Sequence, residues 1–130
     1  MRVKPRNSGQ WTEARFKSFI TSLLRGATYK WNPISKVKKQ ASTRWGFYMC
    51  AGYDRKAHEV PATIQTPKKK RANNAIVDHI NPVVDPVDGH QGWDIYINRL
   101  FCETDNLQVL CKKCHDAKTL VEKHIRKKSK

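Results

Sequence analysis

In the stretch VDHINPVVD a carboxylate and an imidazole stand side by side, at Asp78 and His79. An acid can hold a cation, and a histidine can exchange a proton with water near neutral pH. Taken alone, such a dipeptide is common and uninformative. Downstream, however, Asn106 is followed by Cys111-x-x-Cys114 and then directly by His115. Two thiolates at that spacing make half of a tetrahedral zinc site. The other half must come from upstream, and Cys50 is the natural third ligand. A second cysteine at the usual spacing is absent, because Tyr53 stands there. His58 is the nearest residue with a suitable donor nitrogen. Cys50, His58, Cys111 and Cys114 are therefore the expected structural zinc ligands. The rival reading is that zinc has been lost and the cysteines pack as small apolar residues. Cys102 has no close partner in sequence and reads as a buried small residue.

These side chains need elements to hold them. NAIVDHI is rich in β-branched residues and reads as a strand ending at Asn81-Pro82, and NLQVLC reads as a second strand. KKCHDAKTLVEKHIRKK reads as a helix, with Ala117, Leu120, Val121, His124 and Ile125 on one apolar face. The order strand, long connection, strand, helix would let Asp78 and His115 converge on one cation. Side chains alternate along a regular strand, so Asp78 and His79 should face opposite sides. A twist or bulge beside Asn81-Pro82 would turn both toward a substrate. Between the strands, WDIYINRLF places Trp93, Tyr96, Ile97, Leu100 and Phe101 on one helical face. Upstream, residues 1–10 read as a disordered basic lead. Thr12 should cap a helix whose stripe, Phe16, Phe19, Ile20, Leu23, Leu24 and Ala27, faces the core. Pro33 marks a turn before a short helix near residues 34–42. RWGFYMC reads as a strand leading to Cys50, and KKKR, residues 68–71, as a loop or hairpin tip.

Charge narrows the partners. The 130 residues hold 26 Lys and Arg against 11 Asp and Glu, a net charge of +15. The obvious partner for such an excess is a polyanion, nucleic acid first. No segment is long and apolar enough to span a bilayer, and the start lacks a signal-peptide core, so a cytoplasmic protein is expected. The charge is also segregated. Residues 1–45 hold 11 basic and 1 acidic, whereas residues 76–110 hold 1 basic, Arg99, and 6 acidic. Residues 111–130 return to 8 basic and 2 acidic. Basic flanks suit phosphate, and an acidic island suits a hard cation. Lys68, Lys69, Lys70 and Arg71 are candidate DNA contacts. Arg99 could join them or pair with Asp94 or Glu103, and the ion pair is the favoured reading.

At these residues the sequence resembles the HNH endonuclease family, with its ββα-metal fold. VDHINPVV, DNLQVLC and CKKCH stand where the family's three motif blocks stand, and the likeness covers residues 46–126. The wider pattern is similar to small HNH nucleases encoded by tailed bacteriophages. The resemblance implies an α+β fold with a ββα-metal core, a zinc-knuckle-like cysteine pair and an N-terminal helical extension. Residues 1–45 would be a basic arm and helix, 46–126 the nuclease domain and 127–130 a basic tail. His79 would be the general base. Asp78 and His115 would hold Mg²⁺ or Mn²⁺, and Asn106 would brace the connecting loop. The substrate would be double-stranded DNA. A homodimer or a DNA-packaging motor are the further partners to consider, with no role for a membrane. Tyr53 departs from the family's pattern and bears on zinc, not on the catalytic block.

Two rival functions stay open at the level of sequence. A non-catalytic zinc-knuckle module would account for the charge and the cysteines, but not for Asp78, His79 and His115 together. An accessory subunit would cut only beside a packaging partner. His90 reads as a solvated loop residue and His124 as a packed one.

Overall fold

Thr12 opens the first helix: its hydroxyl accepts the Arg15 N–H at 3.1 Å, and Glu13 follows in the first turn. A computed structural model describes residues 3–68 and 70–128. Helix α1 spans Glu13–Gly26 and α2 spans Asn32–Ala41, with Pro33 inside the first turn of α2, where its missing N–H leaves no bond unmade. Three short strands follow as one antiparallel sheet, β1 (Ser42–Arg44), β2 (Phe47–Cys50) and β3 (His58–Pro61). A hairpin of β4 (Thr63–Gln65) and β5 (Arg71–Asn73) comes next. Then β6 (Ile76–His79) pairs antiparallel with β7 (Leu107–Leu110). Helix α3 (Trp93–Leu100) lies in the connection between them, and α4 (Lys112–Lys128) follows β7. The architecture is α+β. Among the described residues no helix is long and apolar enough to cross a membrane.

The core is small, and cysteine is a large part of it. Val37 of α2, Tyr48 and Cys50 of β2, Ala75, Leu107, Val109 and Leu110 of β7, Cys111 and Cys114 form one buried cluster. A second joins Val83 to Tyr96 and Leu100 of α3, with Leu24 of α1 against it. Residues 32–44 are thus packed into the same body as the second half: α2 lies on β7, and β1 pairs with β2.

Two helical stripes depart from expectation. Of the α1 stripe only Phe16, Ile20 and Leu24 are half-buried, while Phe19 and Leu23 are exposed. In α4 only Cys114 is buried, and Leu120, Val121 and His124 are exposed. Each helix docks by one narrow edge, so much of each stripe stays outside the two buried clusters. The N-terminal lead is also ordered locally: Arg6 and Trp11 form a β-bridge, and Arg6 pairs with Glu13 at 2.7 Å.

One buried polar residue ties the sheets to α4. Asn74 donates from Nδ2 to the Pro61 carbonyl and accepts the Lys112 N–H at Oδ1, both at 2.8 Å. The second bond satisfies one of the otherwise unpaired amides at the start of α4. Its carbonyl accepts the Tyr48 hydroxyl. Truncation would leave two backbone groups without partners inside the protein. Asn74→Ala should lower unfolding free energy by about 2–4 kcal/mol. Urea titration checks this; a loss under about 0.5 kcal/mol, the range of surface substitutions, would show that Asn74 is not a structural hub.

Candidate metal centre and acid-histidine site

The four expected zinc ligands meet. One donor atom from each of Cys50, His58, Cys111 and Cys114 lies within 4.8 Å of the others, so the cluster could hold a metal such as zinc. The pairing explains how. Cys50 and His58 are direct cross-strand partners in β2–β3, which puts both side chains on one face. Cys111 directly follows β7, and Cys114 lies in the first turn of α4. The sheets are joined at this point, because the Ala51 N–H donates to the Val109 carbonyl at 2.8 Å. Gly52 permits the turn that follows Cys50. It has a φ of +78°, and a Cβ there would collide with the Lys56 carbonyl.

The donor chemistry fits a cation. Cys50 Sγ, which is fully buried, accepts the backbone N–H groups of Gly52 at 3.3 Å and Cys111 at 3.2 Å. Burial pushes its thiol up to about 11 despite those bonds. Burial also pushes Cys111 up, but the Cys114 backbone N–H, His58 and the neighbouring thiols outweigh it and bring Cys111 down to about 7. His58 is raised, first by the Lys56 carbonyl on Nδ1 and then by Cys111, whose Sγ lies 3.7 Å from Nε2. A thiolate beside an imidazolium is how such a cluster balances charge when protons fill it. A metal must displace those protons.

Asp78 and His79 occupy the end of β6. The β6–β7 ladder runs unbroken from Ile76↔Leu110 to His79↔Leu107, so no bulge turns the two side chains together. Asp78 sits opposite Gln108, whose amide donates to Oδ2 at 3.0 Å. Oδ1 lies 4.0 Å from His115 Nε2. His79 sends Nε2 to the Leu100 carbonyl at 2.9 Å. A carbonyl only accepts, so Nε2 carries the proton and Nδ1 of the neutral ring is left as the basic nitrogen. The strand ends here, and Asp78, His79 and His115 line one cavity of about 210 Å³. Thr119, Glu122 and Arg126 of α4 line it too, in helical register with His115, as does Arg25 of α1.

Asn106 braces the strand end. Its Oδ1 accepts the Asn81 N–H at 2.9 Å, and its backbone carbonyl accepts the Ile80 N–H at 2.9 Å. Lys118 and Gln108 escaped the sequence reading. Lys118 Nζ lies 2.6 Å from Asp78 Oδ2 and donates to the carbonyls of His79 at 2.5 Å and Ile80 at 3.2 Å. It is three residues after His115, a helical neighbour, and that spacing was the available signal. Gln108 had none, because its role comes from strand register.

The basic candidates divide. Lys68, Lys70 and Arg71 sit exposed at the β4–β5 hairpin, and Arg71 is tied to Thr63 Oγ1 at 2.9 Å. Lys69 lies outside the described residues. Arg99 forms no ion pair with Asp94 or Glu103 among the described residues, and its charge acts on Asp85 instead. The expected solvated loop at His90 is in fact a half-buried ring set against Trp93 and Tyr96. No family model matches the chain, and comparison with curated proteins and with solved structures finds no match.

Purified protein should carry about one equivalent of zinc, as structural sites of this type do. Less than half an equivalent by elemental analysis would remove zinc from the structure. Zinc should also leave on acidification. Cys111 is protonated below about 7, so each metal bound there must displace an added proton. Affinity should then fall at least about tenfold per pH unit below that point. A competition titration with a zinc-sensing dye between mildly acidic and mildly alkaline pH checks the slope.

Proposed function

We propose that this chain is a divalent-metal-dependent HNH endonuclease that hydrolyses phosphodiester bonds of double-stranded DNA. One observation carries the reading: Asp78, His79 and His115, from a strand–strand–helix unit, line a single cavity. The net charge of +15 supports a nucleic acid as substrate. The order β6, β7, α4 supports the ββα core that the motif blocks imply.

The residues fit a catalytic cation. Asp78 Oδ1 and His115 Nε2 are 4.0 Å apart, within reach of one ion that takes its ligands at about 2.1 Å. Mg²⁺ or Mn²⁺ bound there would neutralise the scissile phosphate and stabilise the departing oxygen. His79 takes a proton from water at Nδ1, because Nε2–H is held by the Leu100 carbonyl. Lys118 and Gln108 hold the other carboxylate oxygen, Asp78 Oδ2, and keep Oδ1 turned to His115. Asn106 fixes the backbone beyond His79, so that the base does not swing with the loop.

The rival reading, a non-catalytic zinc-knuckle nucleic-acid-binding protein or an accessory subunit of a DNA-packaging machine, draws on one observation. Lys118 already gives Asp78 a cation. Incubation of supercoiled plasmid with Mg²⁺ or Mn²⁺ separates the two. Wild type should nick or linearise DNA, and His79→Ala should cut about 10²–10⁴-fold more slowly while keeping its zinc and its DNA affinity. Wild type that binds but does not cut, or a mutant that cuts equally well, would sink the nuclease assignment.

A further inference from the structure

Beside the acid-histidine cavity lies a larger one, of about 640 Å³. The two share Arg25, Val84 and Arg126 in their walls, so they adjoin. Lys17 is the third cation of the larger cavity, and Asp88 its one acid. Lys17, Arg25 and Arg126 are all exposed, and among the described residues none of them forms an ion pair. Two of them come from α1, which lies outside the stretch that carries the motif blocks.

The same wall contains two orphaned donors. Tyr96 is 3% exposed, and its hydroxyl has no hydrogen-bond partner; nor has His90 Nε2. Gly92 N–H donates to His90 Nδ1 at 3.2 Å, so the neutral ring carries its proton on Nε2. Burial, and then the charge of Lys17, hold this histidine below the usual range and therefore neutral at pH 7. Buried polar atoms without partners are rare, and each asks for an acceptor. Two unmet donors behind a wall of unpaired cations call for an anion with several acceptor oxygens. Both atoms are shut off from solvent, so the side chains must shift slightly to reach it.

We infer that Arg25 and Arg126, with Lys17, Tyr96 and His90 behind them, form a binding subsite for a backbone phosphate of duplex DNA next to the scissile one. The inference rests on the nuclease reading for the identity of its ligand. It gives α1 a function: the helix closes the cavity and grips the strand while Asp78, His79 and His115 act on the neighbouring bond. Arg25 and Arg126 reach both cavities, so they set the register between gripped and cut phosphates. Such contacts position the duplex and carry no base information.

Binding is the test, because it is read without cleavage. A fluorescent duplex is titrated with the zinc-loaded full chain, with no added divalent cation, over a series of salt concentrations. Arg25→Gln/Arg126→Gln should bind at least about tenfold more weakly, with the slope of log K against log salt shallower by about 1 for the one phosphate lost. Lys38→Gln/Lys39→Gln, on α2, removes the same charge elsewhere and should weaken binding much less. Equal losses in the two pairs, or no loss in the first, would reduce the site to diffuse charge and overturn the proposal. A wild type that does not bind duplex would overturn it as well. Tyr96→Phe discriminates further. Loss of an unpaired hydroxyl should leave the thermal midpoint unchanged or higher, yet weaken binding severalfold. A lower midpoint with unchanged affinity would make Tyr96 a structural residue only. If wild type binds but never cuts, the nuclease reading fails while these binding comparisons still judge the subsite.

Discussion

Four donor atoms within 4.8 Å of one another are the constraint on which the rest of this protein depends. They come from two separate pairs of elements, β2–β3 and β7–α4. The apolar core between those pairs is small, and three of its buried members are the cysteines themselves. Three thiols and an imidazole so close cannot all take their metal-binding forms without a cation, because bare thiolates at that spacing repel in a low dielectric. Protons relieve this in part: His58, raised first by the Lys56 carbonyl and then by Cys111, stands beside Cys111, which the Cys114 backbone N–H and then His58 lower against the effect of burial. A metal held there would relieve it fully and tie the two halves together. His115 follows Cys114 directly, so such a tie would also help to place the acid-histidine cavity.

Charge is sorted along the chain and then reassembled by the fold. The acidic island of residues 76–110 carries Asp78, and the basic flanks lie on either side in sequence. In space, Arg25 from one flank and Arg126 from the other face the cavity that Asp78 lines. Lys118 comes closer still and holds one oxygen of that carboxylate. A carboxylate in contact with one ammonium and flanked by guanidinium groups is partly neutralised before any metal arrives. For the proposed nuclease this sets a balance. The field that draws phosphate in would also weaken the hold on a catalytic cation, for which waters and phosphate oxygens would be the further ligands.

The ligands and the strand–strand–helix order were legible in the sequence, because donor chemistry and β-branched runs are local signals. What escaped depended on partners distant in the chain. Strands β1, β4 and β5 are three residues each, too short for alternation to register. The stripe of α1 reads as fully core-facing, but periodicity reports that a helix has an apolar side and not how wide its neighbour is. Only Leu24 reaches the second cluster, and Leu23 is left outside. Gln108 became a partner of Asp78 through register alone. His90 looked like a loop residue because Gly89 and Gly92 flank it, yet the two rings that enclose it come from α3.

Tyr53 illustrates how a missing ligand need not mean a missing site. In a knuckle with two residues between its cysteines, one tight turn brings both sulfurs to the metal. Here that turn supplies Cys50 alone, and the second donor arrives eight residues later at His58. The spacing rule is replaced by a pairing rule: Cys50 and His58 need only be opposite each other on β2 and β3. The chain between them must then leave β2, reverse and return in register. Gly52 makes the reversal at a φ that side chains rarely adopt, and the Arg55 N–H closes it onto the Gly52 carbonyl at 3.0 Å. With a side chain at Gly52 the Lys56 carbonyl would have to move. That carbonyl is the partner of His58 Nδ1, the bond that leaves Nε2 aimed at Cys111. The glycine therefore reaches the candidate metal centre through two links, the Lys56 carbonyl and the His58 ring, and shapes the donor cluster as much as the four donors do.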